Sequence, residues 1–157
     1  MSTPASAESV EIVELPTRVV VGELVSAPFN RLHLEVPAAW RRFTASDVAH
    51  GAALAEASFT TESGHIEVVG ALRDSDAVAV PAGHVPVLVP AGRYARLVHT
   101  GELTQIAEGF ARIYAWADAH AVTLGGRKLD VGYHAEGPHE LYIDVLEHGD
   151  GPSASGE

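Results

Sequence analysis

The sequence predicts an α+β fold: two βαββ modules related by a pseudo-two-fold, antiparallel sheet with helices on one face, and a ligand cleft between the modules. Three observations carry this. The chain alternates β-rich runs with two amphipathic stretches. The order apolar strand, proline break, strand occurs at IVELPTR–VVVGELV and again at VLVPAGRYARLVH. Each occurrence is followed by a helical pattern and a hairpin, and short turns between consecutive strands imply antiparallel pairing.

Residues Met1 to Ser9 are small and polar, with the composition of a disordered segment. Val10 to Leu15 alternates apolar and acidic residues, as a half-buried strand does. Pro16-Thr17 breaks it, and the β-branched run Val19 to Ser26 resumes, with Gly22 predicting a bulge or bend. A helix is predicted to open near Val36-Pro37, since proline suits a first helical turn. Val36, Trp40 and Phe43 share one face of it. Phe43 reads as core, whereas a large aromatic such as Trp40 can also line a pocket. Ala52 to Phe59 is alanine-rich and fits helix or strand; a strand in its second part is favoured. TTESG then reads as a turn and Ile66 to Leu72 as the returning strand. Asp74 to Gly83 is a connector.

The second module repeats the pattern. Val85 to Val89 contains Pro86 and so belongs at a strand start or a sheet edge. Arg93 to His99 continues after Pro90-Ala91-Gly92. Leu103, Ile106, Phe110, Ile113 and Ala117 form a helical stripe, capped by Thr100 or Gly101, with Glu102 complementing the helix dipole. Tyr114 is placed near that stripe and Trp116 at its edge. Gly125-Gly126 closes the linker behind the helix. Leu129 to Tyr133 and Glu140 to Leu146 form a hairpin. The organisation is therefore a disordered 1–9, one domain at 10–146 (modules about 10–80 and 85–146), and a loose polar tail at 147–157.

The bulk properties exclude several functions. With 157 residues and 46% hydrophobic content the chain suits one globular domain. Its formal net charge of −11 argues against unassisted binding to nucleic acid or anionic membrane. There is no cysteine, hence no disulfide or thiol nucleophile. The N-terminus lacks a signal sequence and no apolar run is long enough to span a membrane, so a cytoplasmic location is expected. The nine histidines are scattered without HxH or HxxxH spacing. His134 and His139 flank one turn and read as solvated. GxGxxG, P-loop and GxSxG motifs are absent. No metal and no cofactor are expected.

One carboxylate stands out. In HELYIDVL, alternation sends Leu141, Ile143 and Val145 to one face and Glu140, Tyr142 and Asp144 to the other. If that second face is solvent, the acids are an ordinary polar strand face. If it lines the inter-module cleft, Glu140 becomes a partly buried carboxylate that a cationic or hydrogen-bonding ligand would compensate. Surrounding rings would add cation–π attraction of about 0.5–2 kcal/mol each. Tyr94, Trp116, Tyr133 and Tyr142 are the rings available in this half.

The segments VPAGRYARLVHTG, IYAWADAH, LDVGYH and HELYIDVL resemble the GyrI-like small-molecule-binding domain, which is also the effector-binding module of AraC- and MerR-type regulators. The resemblance runs from Val10 to Leu146 and is strongest from Pro90 onward. It implies two βαββ modules and a glutamate in the last strand, here Glu140, that contacts lipophilic cations in an aromatic cleft, and it supports Tyr94, Trp116 and Tyr133 as cleft residues; strand alternation and helix spacing add Tyr142 and Trp40 as candidates. Some members resemble hydrolases of cyclopropane-bearing natural products, which would make Glu140, Tyr133 and Tyr94 catalytic. Others bind gyrase, which makes a protein partner the third reading. This chain departs from the family where FE-x-Y becomes LDVGY, with Asp130 as the acid, and where the proline of IPV becomes Asp144. No DNA-binding helix-turn-helix is recognisable beside the domain. The leading expectation is a small-molecule-binding protein acting in sequestration, resistance or sensing; oligomeric state is not readable.

Overall fold

The computed structural model describes residues 9–26, 31–45, 53–61, 64–74, 80–99, 106–132 and 139–146. In chain order the elements are β1 (Glu11–Leu15), β2 (Arg18–Ser26), α1 (Leu32–Thr44), β3 (Ala53–Thr61), β4 (Gly64–Asp74), β5 (Val85–Val89), β6 (Gly92–His99), α2 (Ile106–Ala119), β7 (Leu124–Val131) and β8 (His139–Val145). The order ββαββ thus occurs twice. All strands join one eight-stranded antiparallel sheet in the order β1-β6-β8-β7-β3-β4-β2-β5.

The first strand of each half pairs with the other half: β1 with β6, and β5 with β2. The leading β segment of each half is therefore two strands with different partners, β1 and β2 in the first half and β5 and β6 in the second. The linkers β1–β2 and β5–β6 are each two residues long, at 16–17 and 90–91. So short a link ties each sheet edge to a strand near the opposite edge. The linkers also touch, the Ala91 amide donating to Thr17 Oγ1 at 3.2 Å. The sheet is accordingly curled. Val20, Val68, Val89, Leu129 and Tyr142, from five different strands, meet in one cluster on its inner face.

Both helices lie on the opposite face. α1 rests on β2 and β4, and α2 on β6 and β8. Under α1, Trp40 and Phe43 are almost wholly buried against Val25, Val69 and Ala71. Under α2, Ile113 packs on Ala95, Leu97, Leu141 and Ile143. The middle pair, β3 and β7, carries the joint between the halves and lies between the two helices.

Several expectations are corrected. α1 begins about a turn earlier than Pro37, which sits inside the helix. Its opening turn carries an exposed Arg31–Glu35 ion pair at 3.2 Å. Gly22 marks no bulge: the β2–β4 register is unbroken and pairs Gly22 with Gly70. A Cβ on either would collide with the partner strand's backbone, so close approach is what demands glycine there. Gly125 and Gly126 lie inside β7 rather than in a linker, beside a register shift between Leu124 and Lys128. A Cβ on Gly125 would strike the Asp144 carboxylate, which accepts from the Arg127 amide at 3.0 Å. Tyr114, placed near the core stripe, is 43% exposed. Residues 1–8, the tail from 147 onward, the caps Thr100 and Gly101, Glu102, Leu103, and the β7–β8 turn with Tyr133 and His134 lie outside the described residues. No described helix is long and apolar enough to cross a membrane.

Candidate functional site

Strand alternation gives the helix-side face of β3 and β7 an unusual composition. Glu56 and Ser58 of β3 and Lys128 and Asp130 of β7 all point to this face, and the register sets Glu56 opposite Asp130 and Ser58 opposite Lys128. On the other side of β3, Ser58 pairs with Glu67 of β4. The helices stand apart over these strands. Leu32 at the start of α1 and Ile106, Ala107 and Phe110 in the first turns of α2 wall a cavity of about 320 Å³. Its floor is polar and acidic and its walls are apolar, the combination that orients a ligand while burying most of its surface.

Glu56 is the most perturbed acid in this cleft. Trp40 of α1 donates its indole N–H to Glu56 Oε2 at 2.6 Å. The indole is held by core packing, including an edge-to-face contact with Phe43 at 6.1 Å. Removal from water nevertheless pushes the Glu56 carboxyl well above the usual carboxylate range. The neighbouring Glu67 and, more weakly, Asp130 add repulsion that outweighs the Trp40 hydrogen bond. Asp130 is also raised, by burial, against the lowering effect of a 2.9 Å hydrogen bond with His139 and the nearby His99. His139 is not a solvated turn residue as expected: it is 2% exposed, and the hydrogen bond to Asp130 supplies the polar partner that such burial requires.

Glu140 occupies the opposite face. It pairs with Val131 across β7–β8 and with Val98 across β6–β8, so it points away from Asp130 and the cleft between the helices. There it borders a second recess of about 280 Å³ with Leu15, Pro16, Arg18, Leu72, Leu129 and Tyr142. Its charge already has partners. The Tyr142 hydroxyl donates to Glu140 Oε1 at 2.5 Å, and Arg96 Nη2 lies 3.5 Å from Oε2 while Nη1 holds Glu11 at 2.8 Å. The Tyr142 phenol is pushed up by burial and then by Glu140. Tyr94 meets Tyr142 edge to face at 6.4 Å and donates its hydroxyl to the Pro90 carbonyl at 2.7 Å. Burial raises its phenol too, with Asp144 adding to the effect.

The sequence-predicted residues therefore divide. Glu140, Tyr94 and Tyr142 are brought together on the inner face of the curl. Trp40 belongs to the cleft between the helices, through Glu56. Trp116 borders neither cavity: it packs at the flank of the α2 core and stacks on His120 at 4.7 Å. Tyr133 lies outside the described residues. Glu56 and Glu67 were not singled out from the sequence. Their only signal is an acid within an apolar β run, in ALAEASF and in HIEVV, of the same kind that drew attention to Glu140. Among the described residues no cluster of three or more histidine, cysteine or acidic side chains could hold a metal ion.

Known proteins place this architecture. The family model for Cass2, an integron-associated effector-binding protein, matches residues 11–145. The integron cassette protein Cass2 from the mobile metagenome of Vibrio cholerae superposes with a TM-score of 0.65 at 15% identity, over 87% of this chain and 95% of that one. The structure of the protein SAV2435 bound to tetraphenylphosphonium superposes with a TM-score of 0.70 at 11% identity, over 93% and 99%. The C-terminal domain of EcmrR gives 0.61 at 13% identity, over 88% and 98%. No curated protein sequence matches the chain. Matched from the start of β1 to the end of β8 and built on the GyrI-like fold that its PAGRYA and ELYI segments resemble, the chain belongs to the integron-associated effector-binding protein family.

Proposed function

We propose that the protein binds a lipophilic, cationic small molecule in the cleft between its two helices, with Glu56 as the polar anchor and Trp40 positioning that carboxylate. The observation that carries this reading is the acidic floor under apolar walls: Glu56, Glu67 and Asp130 beneath Leu32, Ile106 and Phe110. A carboxylate pushed up by burial and like charge gains when a cation arrives, because the cation supplies the compensation its surroundings lack. Apolar walls add affinity for a hydrophobic body. That a structurally similar protein has been seen with tetraphenylphosphonium supports the choice of ligand class.

Glu140 and its tyrosines, the anchor expected from the sequence, form the second candidate. In that recess Glu140 is already ion-paired with Arg96 and accepts from Tyr142, whereas Lys128 in the helix-side cleft lies against aromatic rings, which leaves Glu56 the less compensated carboxylate and favours the helix-side cleft. Binding rather than turnover is proposed, with a role in sequestering or sensing the compound. The test is calorimetric titration with tetraphenylphosphonium and with a neutral compound of similar shape, triphenylphosphine oxide. Selective binding of the cation, recovered chemically unchanged by mass spectrometry after long incubation, is expected. Equal binding of both compounds would remove the electrostatic anchor, and consumption of the ligand would replace the binding function with an enzymatic one.

A further inference from the structure

The acidic cleft already contains a cation of its own. Lys128 lines the same cavity as Glu56, Glu67 and Asp130. Its ammonium lies 5.4 Å from the centroid of the Phe110 ring and 5.7 Å from that of Tyr114. Those rings are four residues apart on α2, one turn above the other. Both distances are within the range of cation–π attraction. A positive centre against two rings and beside an acidic floor is the environment a lipophilic cation would seek in this cleft.

We propose that Lys128 is a tethered competitor: its ammonium occupies the aromatic side of the cleft in the free protein, and a cationic ligand must displace it to bind. This rests on the helix-side cleft being the cation site. Displacement makes Lys128 a specificity-determining residue. A small hydrophilic cation exchanges one ammonium for another and gains little. A large lipophilic cation also buries its apolar body against Leu32, Ile106 and Phe110, which offsets the lost lysine contacts. Lys128 is tethered to a central strand between Arg127 and Leu129, so its stem can swing outward while the sheet stays in place.

The experiment compares Lys128→Met and Lys128→Arg with the unaltered protein, using tetraphenylphosphonium, tetramethylammonium and neutral triphenylphosphine oxide as probes. Methionine keeps an unbranched stem and removes the charge. Tetraphenylphosphonium affinity is expected to rise between roughly twofold and thirtyfold in Lys128→Met, the range that loss of one competing cation–π site implies. Tetramethylammonium affinity should rise by a similar factor, because the lysine contacts displaced are the same, triphenylphosphine oxide should change less than about twofold, and Lys128→Arg should stay close to the unaltered protein for all three. Thermal melting checks that both variants fold, and Lys128→Gln replaces methionine if Lys128→Met does not. An unchanged or weakened tetraphenylphosphonium affinity in a folded charge-removed variant overturns the proposal, as does an equal rise for the neutral probe, which would assign the effect to bulk. If Glu56→Gln still weakens the cation in that case, the cleft reading survives and only the competitor role falls. If no variant, nor the unaltered protein, binds tetraphenylphosphonium, both readings fall together.

Discussion

Replacing Glu56 by glutamine should move stability and ligand affinity in opposite directions. The amide keeps an oxygen to accept the Trp40 N–H, which now lies 2.6 Å from the carboxylate, and removes a charge that burial and Glu67 disfavour. Each unit by which a carboxyl is raised costs the folded state about 1.4 kcal/mol at pH values above both pKa values. The free variant should therefore melt above the parent at pH 7.5, by about 2–4 °C for each kcal/mol that the charged form costs a fold of this size. Its affinity for tetraphenylphosphonium should fall. A cation about 5 Å from a carboxylate gains about 3 kcal/mol at an effective dielectric near 20. Part of that is spent driving the proton from Glu56, which leaves a net loss of roughly tenfold or more in the variant. Calorimetry gives the affinity and thermal melting the stability, both at pH 7.5. A variant that melts below the parent would show that the charge is satisfied in the native state. Unchanged cation affinity would remove Glu56 as the anchor.

The same carboxyl predicts two pH dependences. Because its folded pKa is raised above the usual 4.5, the native state holds a proton that the unfolded chain has released; stability is fullest below that value and declines as pH rises through the raised pKa. Melting between pH 4.5 and 8 should show this slope, and Glu56→Gln should flatten it. Cation binding should strengthen over the same rise and release a proton, measurable as a buffer-dependent binding enthalpy; an affinity independent of pH would contradict it. Glu140→Gln should change tetraphenylphosphonium affinity by less than about threefold, since a partnered surface charge of this kind is typically worth under 1 kcal/mol; a tenfold loss would move the anchor to the opposite face. Gly70→Ala should destabilise the fold by about 3 kcal/mol or more, read from denaturant melts, because its Cβ would collide with the Val21 carbonyl in the β2–β4 pair; a loss under about 1 kcal/mol would show that the strands can separate there.

The alternation in HELYIDVL, the stripe from Ile106 to Ala117 and the proline breaks at Pro16 and Pro90 determined the element order, the α+β class and the helix-covered face of β8, because these patterns depend on neighbours within a few residues. Leu141 and Ile143 do lie under α2, and Glu140 and Tyr142 do share the other face. The exchange of β1 and β5 between halves was beyond that reach. It depends on two-residue linkers forcing the sheet to curl, which local periodicity does not record. The cleft was hidden for the same reason. Glu56, Glu67 and Asp130 are separated by 11 and 63 positions in the chain, and each alone looks like a polar residue in a strand. Only the β4–β3–β7 pairing, with α1 and α2 standing apart above it, makes them one acidic floor. Sequence determined which residues could be strands and which sides they would show. The tertiary pairing decided which carboxylate lost its water, because desolvation and like-charge repulsion arise from neighbours that the chain brings together only on folding.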